Sequence, residues 1–154
     1  MNTMFHAAWR AVAGLMSGLL MSSTVCAADI QIDNAWAFAT SSGKETANVY
    51  MHITSKQDVA LVDAYSPKSK TVELRTMLHK AGMMKTIQVQ TIDLLANTRA
   101  DMTSEHGYHL TLVGLKSPLV VGKAVPLTLK FKQADQLIVT VDVKAEVRPA
   151  RNSR

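Results

Sequence analysis

The chain has 154 residues, with 17 Lys and Arg against 12 Asp and Glu, for a formal charge of +5. That length suits one domain and excludes a large multidomain enzyme. With 47% apolar and 19% charged residues the chain should fold around a core, and its single Cys excludes a disulfide framework and any multi-cysteine zinc or iron–sulfur site.

The first residues read as an export signal. Residues 1–27 carry Arg10 and no acidic residue, then the apolar run Ala11 to Met21, then small residues up to Val25-Cys26-Ala27. Cleavage is expected after Ala27. The apolar run is about half of the roughly 20 residues a membrane span needs, and Val25 is not the small residue that lipidation of Cys26 would want before it. No stable membrane anchor is therefore expected. Cleavage removes the only thiol and leaves Met51, Met77, Met83, Met84 and Met102 with His52, His79, His106 and His109. Any soft metal must then be held by thioether and imidazole.

The rest, residues 28–147, alternates with a period of two. In chain order the apolar parities are Ile30, Ile32, Trp36 and Phe38; Ala47, Val49, Met51 and Ile53; Val72, Leu74 and Leu78; Ile87 and Val89; Tyr108, Leu110 and Leu112; Val125, Leu127, Leu129 and Phe131; and Leu137, Val139, Val141 and Val143. Each predicts a strand with one buried face. The breaks at Thr40 to Gly43, Ser55 to Asp58, Ser66 to Ser69, Lys80 to Gly82 and Lys116 to Pro118 are turn-like. The pattern predicts an all-β, Greek-key β-sandwich of about seven or eight strands. Residues 148–154, with three arginines, read as a frayed basic tail.

Parity also sets candidate chemistry aside from the core. Met77 and His79 share the face opposite Leu74, together with Arg75. After the turn at Ala81-Gly82, Met84 and Thr86 fall on that same face if the two strands pair antiparallel. His109 is a second imidazole off the core pattern. A cluster of Met77, His79, Met84 and His109 suits Cu(I), a soft ion, better than zinc or magnesium. Imidazole binds a metal only when neutral, so affinity should fall as pH drops through about 6.5. Met51 reads as core, and Met102 as part of a polar loop. The sequence has no HExxH, no G-x-S-x-G, no phosphate loop and no acid pair, so no enzymatic activity is expected. It also lacks the basic stripe with interleaved aromatics that nucleic-acid binding would need.

Several strings then carry a family resemblance: Asn34 to Ala39, Ala47 to Met51, Thr71 to Met77, Gly82 to Lys85, Gly107 to Leu110, Gly114 to Leu119 and Pro126 to Phe131. In that order they resemble the periplasmic PCu(A)C-type copper chaperones over most of residues 29–143. The resemblance implies a cupredoxin-like β-sandwich in the periplasm that carries Cu(I) toward an acceptor such as an oxidase copper centre. It implies ligands at the positions of Arg75, Thr86, His109 and Thr111, of which His109 alone is a metal donor here. The motif is thus degenerate, and the expected site shifts by two residues to Met77, Met84 and His79, with His109 as anchor. Shifts of two keep each side chain on its face. The alternative is a metal-free relative that binds a protein or small ligand, with Arg75 recognising a carboxylate or phosphate.

Overall fold

The computed structural model describes residues 29–150. Residues 1–28, which include the expected export signal, and the last four residues lie outside that range. Among the described residues the fold is all-β: β1 (Ile30–Phe38), β2 (Thr46–Ser55), β3 (Val59–Tyr65), β4 (Ser69–Lys80), β5 (Met83–Val89), β6 (Ile92–Leu94), β7 (Arg99–Met102), β8 (His109–Leu115), β9 (Ala124–Gln133) and β10 (Ile138–Arg148).

The hydrogen-bonded path runs β5-β4-β8-β2-β1-β10-β9-β3-β6, with β7 paired to β2. β1 joins the two halves, antiparallel to β2 and parallel to β10. The inner faces of both halves meet in one core. Val49, Met51 and Ile53 of β2 and Leu110 and Leu112 of β8 pack with Leu61 of β3 and Leu127, Leu129 and Phe131 of β9. Each such side chain contributes about 1.5–3 kcal/mol by leaving water.

The ten strands are more than the expected seven or eight. The additions are β3, β6 and β7. In β3 the alternation breaks where the register shifts between Leu61 and Asp63. β6 and β7 have only three and four residues, too few for a period to emerge. Met102, expected in a polar loop, lies in β7 opposite Met51 and is fully buried. Arg148, expected to open the frayed tail, ends β10, and its carbonyl accepts a hydrogen bond from the Ala39 amide at 2.8 Å.

One irregularity redirects a whole strand end. β1 pairs Asp33 with His52 and then Trp36 with Tyr50, so two residues of β1 face Met51 alone. Asn34 takes φ +51° there, a left-handed conformation that Asn tolerates better than most residues. Ile30 and Ile32 before the bulge pack on the core, and after it Ala35, Ala37 and Ala39 do. Trp36 and Phe38, expected on the same face as Ile30 and Ile32, therefore turn outward.

The β4–β5 hairpin extends past the sandwich. The β4–β8 ladder ends at Arg75 opposite His109, whereas the β4–β5 ladder continues to Lys80 opposite Met83. Leu78, on the same parity as buried Leu74, is consequently 45% exposed. The two-residue turn places both Ala81 (φ +50°) and Gly82 (φ +77°) in the left-handed region, which is the type I′ geometry matched to strand twist. Gly82 adopts it freely, but the Cβ of Ala81 is strained by roughly 1–2 kcal/mol. Replacing Ala81 by Gly should raise stability by about 0.5–1 kcal/mol after the added freedom of the unfolded chain is deducted. Urea unfolding would show this as a higher midpoint at unchanged slope.

Candidate metal-binding face and its covered flank

The candidate residues all lie on the outer face of the β5-β4-β8-β2 half. Across β4 and β5 the register sets Arg75 opposite Gln88, Met77 opposite Thr86 and His79 opposite Met84. Cross-strand partners share a face, so Met77, His79 and Met84 do as well. Met77 is the diagonal neighbour of Met84 and stands two residues from His79 on the same strand. Directly opposed side chains have Cβ atoms about 5 Å apart, and diagonal ones about 7–8 Å. Met84 is 47% exposed, and His79 is exposed beside it.

His109 sits apart from that trio. It faces Arg75 across the β4–β8 ladder, which makes Met77 its diagonal neighbour. His79 lies two further residues along, about 13 Å from the Arg75 position at strand rise. The ladder thus joins His109 to the other donors only through Met77. His109, off the core pattern in the sequence, is nonetheless buried, at 3% exposed. Its Nδ1 lies 3.1 Å from the carbonyl of Gly107. A carbonyl only accepts, so Nδ1 donates, and the neutral ring then has its lone pair on Nε2.

The remaining positions implied by the resemblance hold engaged or non-ligating side chains. Arg75 donates to Glu73 from Nε at 2.8 Å and from the terminal guanidinium nitrogen at 2.6 Å. Its charge is offset in place. Thr111, opposite Glu73, donates from Oγ1 to Asn48 Oδ1 at 2.9 Å. Among the described residues no group of three or more His, Cys, Asp and Glu side chains is placed to hold a metal. Methionine sulfur is the donor that such a set leaves out.

A directional chain of hydrogen bonds covers the flank beside His109. Thr111 donates to Asn48, Asn48 Nδ2 donates to the Tyr50 hydroxyl at 3.4 Å, and that hydroxyl donates to Glu105 Oε1 at 3.0 Å. Tyr50 is 2% exposed although it lies on the outer face. The rings of Trp36 (4.5 Å between centroids), Phe38 (6.4 Å) and His109 (6.4 Å) surround it. Sequence reasoning missed Trp36, Phe38, Tyr50 and Glu105 as a group. The available signal was Asn34, a residue suited to a bulge, ahead of an alternation of alanine and aromatic side chains.

The 103–108 segment that carries Glu105 is anchored at Asp101. The Asp101 carboxylate accepts from the Thr103 hydroxyl at 2.5 Å and the Thr103 amide at 2.9 Å. These bonds hold its pKa below the ordinary carboxylate value, with His52 and Arg99 adding smaller attractions. A pKa depressed on folding supplies stability above the unfolded value and loses it as pH falls through the folded one.

The geometry defines a β-sandwich with thioether and imidazole donors grouped on an exposed hairpin. A family model described as "Putative lipoprotein LpqE-like" matches residues 30–143, and the chain belongs to this LpqE-like family. It is 26% identical over 115 residues to "Putative lipoprotein Lxx21020" of Leifsonia xyli subsp. xyli, covering 75% of this chain and 69% of that one. Among solved structures it resembles the copper-bound PCuAC domain from PmoF2, with a TM-score of 0.56, 26% identity, and coverage of 77% of this chain and 93% of that domain. It also resembles apo-DR1885 from Deinococcus radiodurans, with a TM-score of 0.56, 27% identity, and coverage of 96% and 95%. The fold is therefore the cupredoxin-like sandwich of PCuAC domains.

Two outcomes follow for the covered flank. Tyr50→Phe should cost about 0.5–1.5 kcal/mol in chemical denaturation, because exposed Glu105 and half-buried Asn48 exchange the hydroxyl for water. In Asp101→Asn the loss of stability on acidification below pH about 4 should be shallower than in the unmodified chain, checked by thermal melts across that range.

Proposed function

We propose that this protein is an exported, non-enzymatic Cu(I) carrier that holds its cargo on the outer face of the β4–β5 hairpin. The supporting observation is the ladder that sets His79 opposite Met84 and puts Met77 on the same face, in a fold shared with a domain solved with copper bound. Two thioethers and an imidazole form the donor set of a soft monovalent ion. Met77 replaces His109 as the anchor in this reading, since every other donor neighbours it. His109, with its Nε2 lone pair, supports Met77 from the β8 side.

Exposure suits a carrier. With Met84 at the rim, an acceptor's ligands can enter one at a time while the ion stays coordinated. An acceptor with an open copper centre, such as that of an oxidase, fits this chemistry. The lipoprotein names of the family and of its relative support action outside the cytoplasm. Among the described residues no helix is long and apolar enough to cross a membrane, and the periplasm is the compartment this reading assigns. The rival reading, anion recognition by Arg75 in a metal-free module, is weakened by Glu73, which already occupies the guanidinium.

Competition of the exported chain against a chromophoric Cu(I) chelator under reducing conditions tests the proposal. One equivalent of Cu(I) should be withdrawn, and Met77→Ala should bind at least about tenfold more weakly, a difference of about 1.4 kcal/mol. His109→Ala should lose less than Met77→Ala. Absence of uptake, or full affinity in Met77→Ala, rejects the assignment.

A further inference from the structure

The outward turn of β1 builds a second feature, which does not use the hairpin donors. Trp36, Phe38 and Tyr50 form one side of a cleft of about 300 Å³, and Thr103, Ser104, Glu105 and His106 form the other. That volume is at the small end for ligand sites. Trp36 and Tyr50 lie 33° from parallel, and the Phe38 ring stands at 75° to Trp36 and 71° to Tyr50, so Phe38 and Trp36 present planes nearly at right angles. The Glu105 carboxylate supplies the charged side. Its position is fixed by the hydroxyl of buried Tyr50, and no lysine or arginine lines this cleft.

Perpendicular aromatic walls with one carboxylate are the chemistry that recognises an organic cation. Ring faces attract positive charge, the carboxylate neutralises it, and a methylated ammonium gives up little hydration on entry. The chain already makes one such contact: the Arg148 guanidinium lies 5.0 Å from the centroid of the Trp36 ring, and Arg148 is not among the residues lining the cleft. A metal ion is the poorer occupant, because Glu105 and His106 are the only strong donors among the residues lining the cleft, and three aromatic side chains line it with them. We propose that the cleft between the 36–38 segment of β1 and the 103–106 loop binds a small methylated ammonium, with Trp36 and Phe38 as walls and Glu105 as counter-ion.

The test uses copper-free exported protein, so its outcome is independent of the carrier reading. Choline chloride and its neutral carbon isostere, 3,3-dimethylbutan-1-ol, are titrated at constant ionic strength while the Trp36 indole and Phe38 ring resonances are followed by NMR. Choline should give saturable shifts confined to this cleft, and the isostere should bind about tenfold more weakly. Glu105→Gln keeps an acceptor for the Tyr50 hydroxyl while removing the charge. It should melt close to the unmodified chain and lose choline affinity by about the same tenfold factor. A second arm with phosphatidylcholine vesicles separates the two sources of such a head group. Co-sedimentation that choline competes away assigns a lipid, and choline binding without co-sedimentation assigns a soluble cation. Either result upholds the recognition chemistry. Equal binding of choline and its isostere by the unmodified chain, or undiminished choline binding by a folded Glu105→Gln, overturns it.

Discussion

In a strand whose side chains alternate between two faces, one additional residue reverses the face of everything that follows. In β1 that addition lies between Asp33 and Trp36, at the left-handed Asn34. Without it, Trp36 and Phe38 would fall on the interior face with Ile30 and Ile32. With it, three alanines line the interior and two aromatic rings lie outside against Tyr50. Tyr50 can then be buried on an outer face, and its hydroxyl can hold Glu105 and the 103–108 segment against the sheet. The same segment carries Gly107, whose carbonyl lies 3.1 Å from His109 Nδ1, and lines one side of the cleft.

A second constraint is the mismatch between the two ladders of β4. β8 begins at His109 and stops pairing with β4 at Arg75, while β5 continues to the turn. Side chains of the last β4 residues therefore have a neighbouring strand on one side only. Met77, His79 and Met84 owe their accessibility to this overhang. The same side chains beside a full-length β8 would be hemmed in, as His109 and Thr111 are. A soft-ion site that exchanges its cargo needs the open arrangement, and a permanent structural site would favour the closed one.

Two positions at which the resemblance implies ligands carry other contacts here. Arg75 is tied to Glu73, and Thr111 opens, through Asn48, the chain that ends at Glu105. Each link satisfies a polar group that would otherwise be costly on a partly covered face. The polar flank and the hairpin donors thus occupy adjacent parts of one sheet face without sharing a side chain.

The sequence by itself determined the all-β class, most of the long strands and the face that Met77, His79 and Met84 share, because a period of two and a two-residue turn are local properties. It also carried the family resemblance, and it placed Met51 in the core by parity alone. Tertiary structure decided what local periods cannot express. β3 was hidden by its own register shift, and β6 and β7 were too short to show a period. The bulge at Asn34 moved Trp36 and Phe38 across the sheet, which parity counted from Ile30 could not register. Ladder ends set the distance between His109 and the other donors, and the cover over Tyr50 came from a loop more than fifty residues away in the chain. A strand pattern assigns each side chain to a face, but which faces meet, and where a ladder stops, depends on contacts between segments distant in sequence.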